Sequence, residues 1–309
     1  MTSRINSAGH KAQHMDYTID TLHIRNKPGS TILARASAEQ AGWQTMNMVA
    51  LRLETGKKFG ITVDDYEYVA VVLGGVCDIR TSKGNFTDVG RRPDVFTGMP
   101  YALYIPPQTE FEIEALTDDF AFASCWTPCK QEHPLRLITP SDVKIDFAGG
   151  GNATYQVNTI VGTEFASENL IIRELYTPGG NWSNYPPHQH DTLTKSEDGS
   201  IKEAAMDELL FYKIDKPGGF AMQRVYTDDG TIDATMTVGH NDAVIIPKGY
   251  HPMVSAQGYT TYALSFMAGQ PRSMSHSIHP TMRWLPQTWL AKDPRLPIVS
   301  HGMEPLRES

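Results

Sequence analysis

Two stretches of this chain share one plan. MPYALYIPPQTEFEIEA (99–115) and NDAVIIPKGYHPMVSA (241–256) each run as an apolar strand, a proline turn and a second strand. EYVAVVLGGVCDI (67–79) and ELLFYKIDKPGGFAM (208–222) form a second matching pair in the same order. A pattern repeated in order is most economically explained by one unit present twice, each copy with its own core. The flanking runs YALYIPP, FEIEAL, FAFASCW, LIIRELYTP, DELLFYKI and YTTYALSFMAG are short and rich in β-branched and aromatic residues. Turn residues separate them at intervals of about ten residues, the spacing of a sandwich or barrel rather than of βαβ units. The expected class is all-β: a polar extension over 1–18, a first barrel over 19–148 and a second over 149–285. DFAGGGNATYQ (146–156) is the joint, and 286–309 an irregular tail whose Trp289 and Leu290 pack on a domain or a neighbouring subunit.

Composition narrows the function. With 27 basic against 35 acidic residues, the net charge of −8 gives no basic field for nucleic acid. Three cysteines, Cys77, Cys125 and Cys129, are too few for a disulfide framework and fit a reducing compartment. The first residues carry no apolar signal core, and nothing later approaches the roughly 18 apolar residues of a membrane span. A soluble, cytoplasmic protein with no nucleic-acid or membrane partner is expected; self-association stays open.

The chemistry gathers in the second copy. In NWSNYPPHQHD (181–191), Pro186 and Pro187 hold the chain extended, so His188 and His190 project to one side. Alone, such a pair is more often a polar surface patch than a ligand pair. Downstream, DAVIIPKGYHP (242–252) gives a buried strand, a Pro247–Gly249 turn and then His251. An H-x-H, a following acid, then P-x-G and a last histidine is the ligand order of the cupin fold. There, strands of a jelly-roll barrel turn four side chains onto one ion. The acid is Asp207 or Glu208, and one residue of register decides. Glu208 shares a face with Leu210, Tyr212 and Ile214, whereas Asp207 shares one with Lys213, which favours Glu208. The 17 residues between His190 and Glu208 exceed the usual three or four, so 192–206 is read as a loop inserted at the barrel mouth. The first copy has PPQTE (106–110) at the equivalent turn and no H-x-H before Glu67, so it keeps the barrel without ligands.

LYTPGGNWSNYPPHQHD, GFAMQRVYTDDG, VIIPKGYHPMVSAQGY, FMAGQPR and, in the first half, RRPDVFTGMPYALYIPP resemble the 5-deoxyglucuronate isomerases of myo-inositol catabolism, which are two-cupin proteins. The likeness runs from about residue 20 to 285. It implies a tandem cupin (bicupin) with His188, His190, Glu208 and His251 as metal ligands. It also implies an aldose–ketose isomerisation of 5-deoxy-D-glucuronate to 5-dehydro-2-deoxy-D-gluconate. The chain departs from the family at Tyr155, where an arginine is usual, and at Ala263, where a tyrosine is common.

Such a reaction asks for a Lewis acid, a group that moves a proton between C1 and C2, and a cation for the carboxylate. Three imidazoles and a carboxylate accept Zn, Mn, Fe, Ni or Co, and the resemblance puts zinc first. Arg224, alternating with Met222 and Tyr226, and Lys248 are the candidate carboxylate holders. Against them stand an internal ion pair of Arg224 with Asp228 or Glu208 and a solvated Lys248. Tyr259, Tyr262 and Asp191 are the candidate proton carriers, although a barrel tyrosine is usually core. His240, His276 and His279 could reach the mouth, but a lone histidine beside a turn is usually a surface residue. A related uronate isomerase, a cupin dioxygenase with iron or copper, and a non-enzymatic sugar-binding bicupin are the competing readings.

Overall fold

A computed structural model describes residues 3–4, 16–43, 45–289 and 291–303. Most of the 1–18 extension and Leu290 therefore lie outside the described residues. The architecture is all-β, with two tandem barrels each built of two sheets. The two α-helices described, Ile19–Leu22 and Ala38–Ala41, are four residues each.

In the first barrel, Tyr66–Gly74 pairs with Ala121–Pro128 on one side and Ala102–Ile105 on the other. Lys58–Val63, Thr109–Ala115, Cys77–Thr81 and Gly84–Val89 form the facing sheet. Alternation along Tyr66–Gly74 divides its side chains between two cores. Tyr66, Tyr68, Ala70 and Val72 point into the first barrel, while Val69, Val71 and Leu73 join a core shared with the second. The first interior is filled by Tyr68, Phe111, Phe120 and Phe122, aromatic rings packed against one another.

The second barrel's large sheet runs Lys144–Ala148, Tyr155–Val161, Leu170–Thr177, Thr261–Ala268, Asp207–Ile214, Ala243–Ile246 and His23–Ile24. Its opposite sheet holds Trp182–Ser183, Met253–Ser255, Ala221–Tyr226 and Asp233–Val238. The chain thus does not divide at 148. Lys144–Ala148 pairs with the second barrel, and His23–Ile24, from the far N-terminal side, closes that barrel's edge beside Ala243–Val244. His23, given no role from sequence, is buried there and bonds Asp242 at 2.9 Å.

The large sheet of the second barrel is buried on both faces, its outer one against the first barrel. Within that interface Arg92 and Glu174 form a fully buried ion pair at 2.7 Å. The remaining guanidinium N–H groups reach the carbonyls of Val72 and Gly98, and the hydroxyls of Tyr176 and Tyr262 donate to Glu174, both at 3.0 Å. Every member has a partner, the condition under which such a pair is tolerated in a core. The tail is irregular as expected but docked: Trp289 lies on Gly150, Ile298 donates its N–H to Gln156, and Val299 is fully buried.

Candidate metal centre

Glu208 is buried inside the second barrel, where Oε2 lies 3.1 Å from His190 Nε2 and 3.2 Å from His251 Nε2. The ligand atoms of these three residues lie within 4.8 Å of one another. His188 stands beside them, its ring 5.0 Å from that of His251. Each imidazole is anchored the same way. Nδ1 of His188 faces the Pro186 carbonyl, that of His190 the Met206 carbonyl, and that of His251 the Gly249 carbonyl, at 3.1, 2.8 and 3.0 Å. A carbonyl only accepts, so the proton sits on Nδ1 and each Nε2 keeps a bare lone pair. At His190 and His251 those lone pairs look at a carboxylate across about 3 Å, an arrangement of acceptors that a cation completes. Burial and the surrounding imidazoles push His188 well below the usual histidine value, which keeps it neutral and ligand-ready.

Local structure explains how distant residues meet. Residues 192–206 are an ordered hairpin, not a loose loop: Thr194–Lys195 pairs with Ile201–Glu203. Buried Glu203 accepts the N–H groups of Asp191 and Thr192, and Met206 donates its N–H to the His190 carbonyl at 2.9 Å. The insertion therefore returns the chain to its starting point and delivers Glu208 beside His190. Ser265, on the neighbouring strand, donates to Glu208 Oε1 at 2.6 Å and fixes the carboxylate. Just before His251, Gly249 has φ +91°, and a Cβ there would lie 2.3 Å from the Tyr226 carbonyl oxygen, so the turn admits only glycine. Asp191 accepts the Gly249 N–H at 2.7 Å and ties this turn to the H-x-H segment. Asp207, the rival acid, lies on the other face, where burial pushes its carboxyl up to about 7.

Several candidates lie elsewhere. Arg224 is exposed: it pairs with Asp233 at 2.9 Å, neither Asp228 nor Glu208, and stacks over Tyr226. The alternation of that strand is as read but its faces are exchanged, so Gln223 points inward and donates to the His251 carbonyl at 2.7 Å. Lys248 turns outward to Thr231. Tyr262 is bound to Glu174 on the interface face, opposite to Ser265. Tyr259 packs on Gly219 and Ile214, at the end of the Asp207–Ile214 strand farthest from Glu208. Of the proton-carrier candidates, Asp191 alone adjoins the cluster.

Further residues line the interior, among them Arg173, which the sequence did not single out. Arg173 lies directly opposite Ser265, so both point to the same face. Tyr155 shares that face, and its hydroxyl feels Arg173 and Glu208. His276 covers the mouth, its ring 4.3 Å from that of His188, on a segment paired to His188–Gln189. His279 lies 3.5 Å from Asp228 at the same rim. His240 belongs to a different place, a cavity of about 490 Å³ between the barrels, lined also by Arg52 and Lys213.

Comparison with known proteins gives the family. The family described as KduI/IolB matches residues 21–285. A 5-deoxy-glucuronate isomerase of Geobacillus kaustophilus is 37% identical, over 90% of this chain and 98% of the relative. That of Bacillus subtilis strain 168 is 35% identical, over 76% and 85%. The crystal structure of an IolB-like protein from Salmonella typhimurium superposes with a TM-score of 0.81 at 30% identity, covering 85% of this chain and 98% of that one. Bacillus subtilis oxalate decarboxylase, at TM-score 0.55 and 13% identity, shares the tandem cupin fold alone. The chain belongs to the KduI/IolB family and is an isomerase of that family.

Proposed function

We propose that the chain converts 5-deoxy-D-glucuronate to 5-dehydro-2-deoxy-D-gluconate in myo-inositol catabolism. His188, His190, Glu208 and His251 would hold a divalent ion, zinc first. The observation that carries this reading is the convergence of carbonyl-anchored imidazoles on the buried Glu208. The names of the relatives support the substrate. A divalent ion there would supply a Lewis acid for the C1 carbonyl and the C2 hydroxyl oxygen. The protein does the rest. One proton leaves C2 and one arrives at C1, while the O2 hydroxyl proton passes to O1. The aldehyde thereby becomes an alcohol and C2 a ketone, with no net redox change. Asp191, beside the imidazoles, and Tyr155, on the interior wall, are the candidates to carry these protons. Ser265 and Gln223 keep Glu208 and the His251 segment in place.

The test is proton NMR of 5-deoxy-D-glucuronate with purified protein in heavy water, before and after chelation and with each metal restored. Turnover that chelator abolishes and one ion restores is expected, with deuterium or intramolecular transfer visible at C1. Metal-loaded protein that leaves the substrate unchanged, or consumes oxygen on a catechol instead, would remove the isomerase reading.

A further inference from the structure

We infer that Arg173 is the anchor for the carboxylate of a sugar acid whose other end lies at the histidine cluster. This rests on the proposed function for the identity of the acid, but on geometry for the site.

Register places Arg173 on the interior face of the second barrel, opposite Thr159 on one side and Ser265 on the other. Its Nε is buried with no hydrogen-bond partner, and its polar contact is a weak one, Nη2 to the Met267 sulfur at 3.7 Å. Among the described residues no carboxylate pairs with it. That contrasts with Arg92, whose guanidinium is bonded throughout. A guanidinium turned into a barrel interior without an anion is costly, and the missing partner is an anion that enters with the ligand.

The surroundings suit a polyol acid. Buried polar atoms without partners recur in this barrel: Thr177 Oγ1, Ser183 Oγ and Asn184 Nδ2. Tyr155 adds a hydroxyl near the Asn184 N–H. They are donors and acceptors that sugar hydroxyls would satisfy. The span also fits. Arg173 lies two strands and two residues from Glu208, about 12 Å between Cα atoms at standard sheet spacings. Both side chains rise from one face of that sheet, and the distance between their feet accommodates the roughly 6 Å from aldehyde to carboxyl carbon of a six-carbon chain. Arg224 and Lys248 offer no such position, since both face away from the interior.

The test compares binding of 5-deoxy-D-glucuronate and of neutral 5-deoxy-D-glucose by calorimetry, with metal content measured in parallel. Metal-loaded wild-type protein, Arg173→Met and Arg173→Lys are used. Wild type is expected to prefer the acid by about 100-fold, the worth of a bidentate charge-assisted pair. Arg173→Met should bring the two ligands within about threefold, and Arg173→Lys should retain a preference of roughly tenfold, with metal content unchanged in each. A merely structural arginine would weaken both ligands equally. An acid preference that survives intact in either folded, metal-loaded variant overturns the assignment. If wild type binds the acid through Arg173 but never isomerises it, the anchor stands and the isomerase reading falls. If turnover proceeds with the preference unmoved by substitution, the anchor falls alone.

Discussion

Replacing Glu208 by Gln separates a metal site from a chance cluster of buried polar groups. In the metal-free protein, the carboxylate faces two bare Nε2 lone pairs at 3.1 and 3.2 Å, so both sides of each contact are acceptors. Gln is nearly isosteric and brings an N–H₂ that can donate to one of those nitrogens. The metal-free variant should therefore be as stable as metal-free wild type, or up to about 1 kcal/mol more stable. With metal the order reverses. An ion present at 100 times its dissociation constant stabilises the native state by about 2.7 kcal/mol. For a chain of this size that is roughly 5 °C in Tm. The assay is calorimetric unfolding of chelated protein, then of the same sample titrated with zinc and with manganese. Wild type should gain about 5 °C and the variant less than about 1 °C, while β-type circular dichroism is the same. A variant that gains as much as wild type would refute the assignment of Glu208. A wild type that gains nothing with any divalent ion would refute the site.

Gly249→Ala should cost at least about 2 kcal/mol in urea unfolding and weaken metal binding, because at φ +91° its Cβ meets the Tyr226 carbonyl. Arg224→Ala, Lys248→Ala and Tyr259→Phe should each leave kcat/KM within about twofold, since their side chains are engaged away from the histidines. Lys213 is buried, and burial with nearby Arg52 and Arg92 pushes its ammonium from 10.5 to about 8. Below pH 8 the folded state carries a disfavoured charge. Between pH 8 and 10.5 the unfolded chain binds more protons, so stability from this group rises with pH. Lys213→Met should therefore add about 1–2 kcal/mol at pH 7 and less at pH 10, read from denaturant midpoints.

The histidine cluster was legible because each part carried its own local signal: paired prolines before H-x-H, and a P-x-G turn before His251. Glu208 was reached by a face argument whose premise differs from the structure. Lys213 does lie on the face opposite Glu208, but that face is the inter-barrel interface, where the ammonium bonds Asn241, not solvent. The same parity argument misplaced Arg224, because the outward face of its strand carries Phe220 and Met222, 41% and 44% exposed, and looks like a core face in sequence. Parity says which residues travel together and not which way they point. Arg173 hid for a related reason. In LIIRELYTP adjacent Arg and Glu read as one polar step in a strand, whereas Arg173 enters the barrel interior and Glu174 the interface. The edge strand His23–Ile24, two residues long, has no periodicity to detect.

The contrast between the two interiors gives the ligand-free copy a purpose. A barrel lined by Arg173, Glu208, Ser265, Thr177 and histidines forgoes the apolar burial that normally holds a jelly roll together, and orphaned polar atoms add to the cost. Its large sheet compensates outward. Leu264 and Phe266 on its outer face share one core with Val69, Val71 and Leu73 of the first barrel, and each such buried side chain contributes about 1.5–3 kcal/mol. The first barrel can serve as that support because its own interior is packed with aromatic rings. Arg92 and Glu174 then fix how the two sheets meet, since their pair is satisfied in only one docking. Arg92→Met would strand Glu174 among tyrosine hydroxyls and should cost about 3–5 kcal/mol. Because the supported sheet carries Glu208 and Ser265 on its other face, the loss should reach metal affinity too, with no ligand changed. Metal affinity that stays constant while stability falls would show the hollow barrel to be held by its own closure.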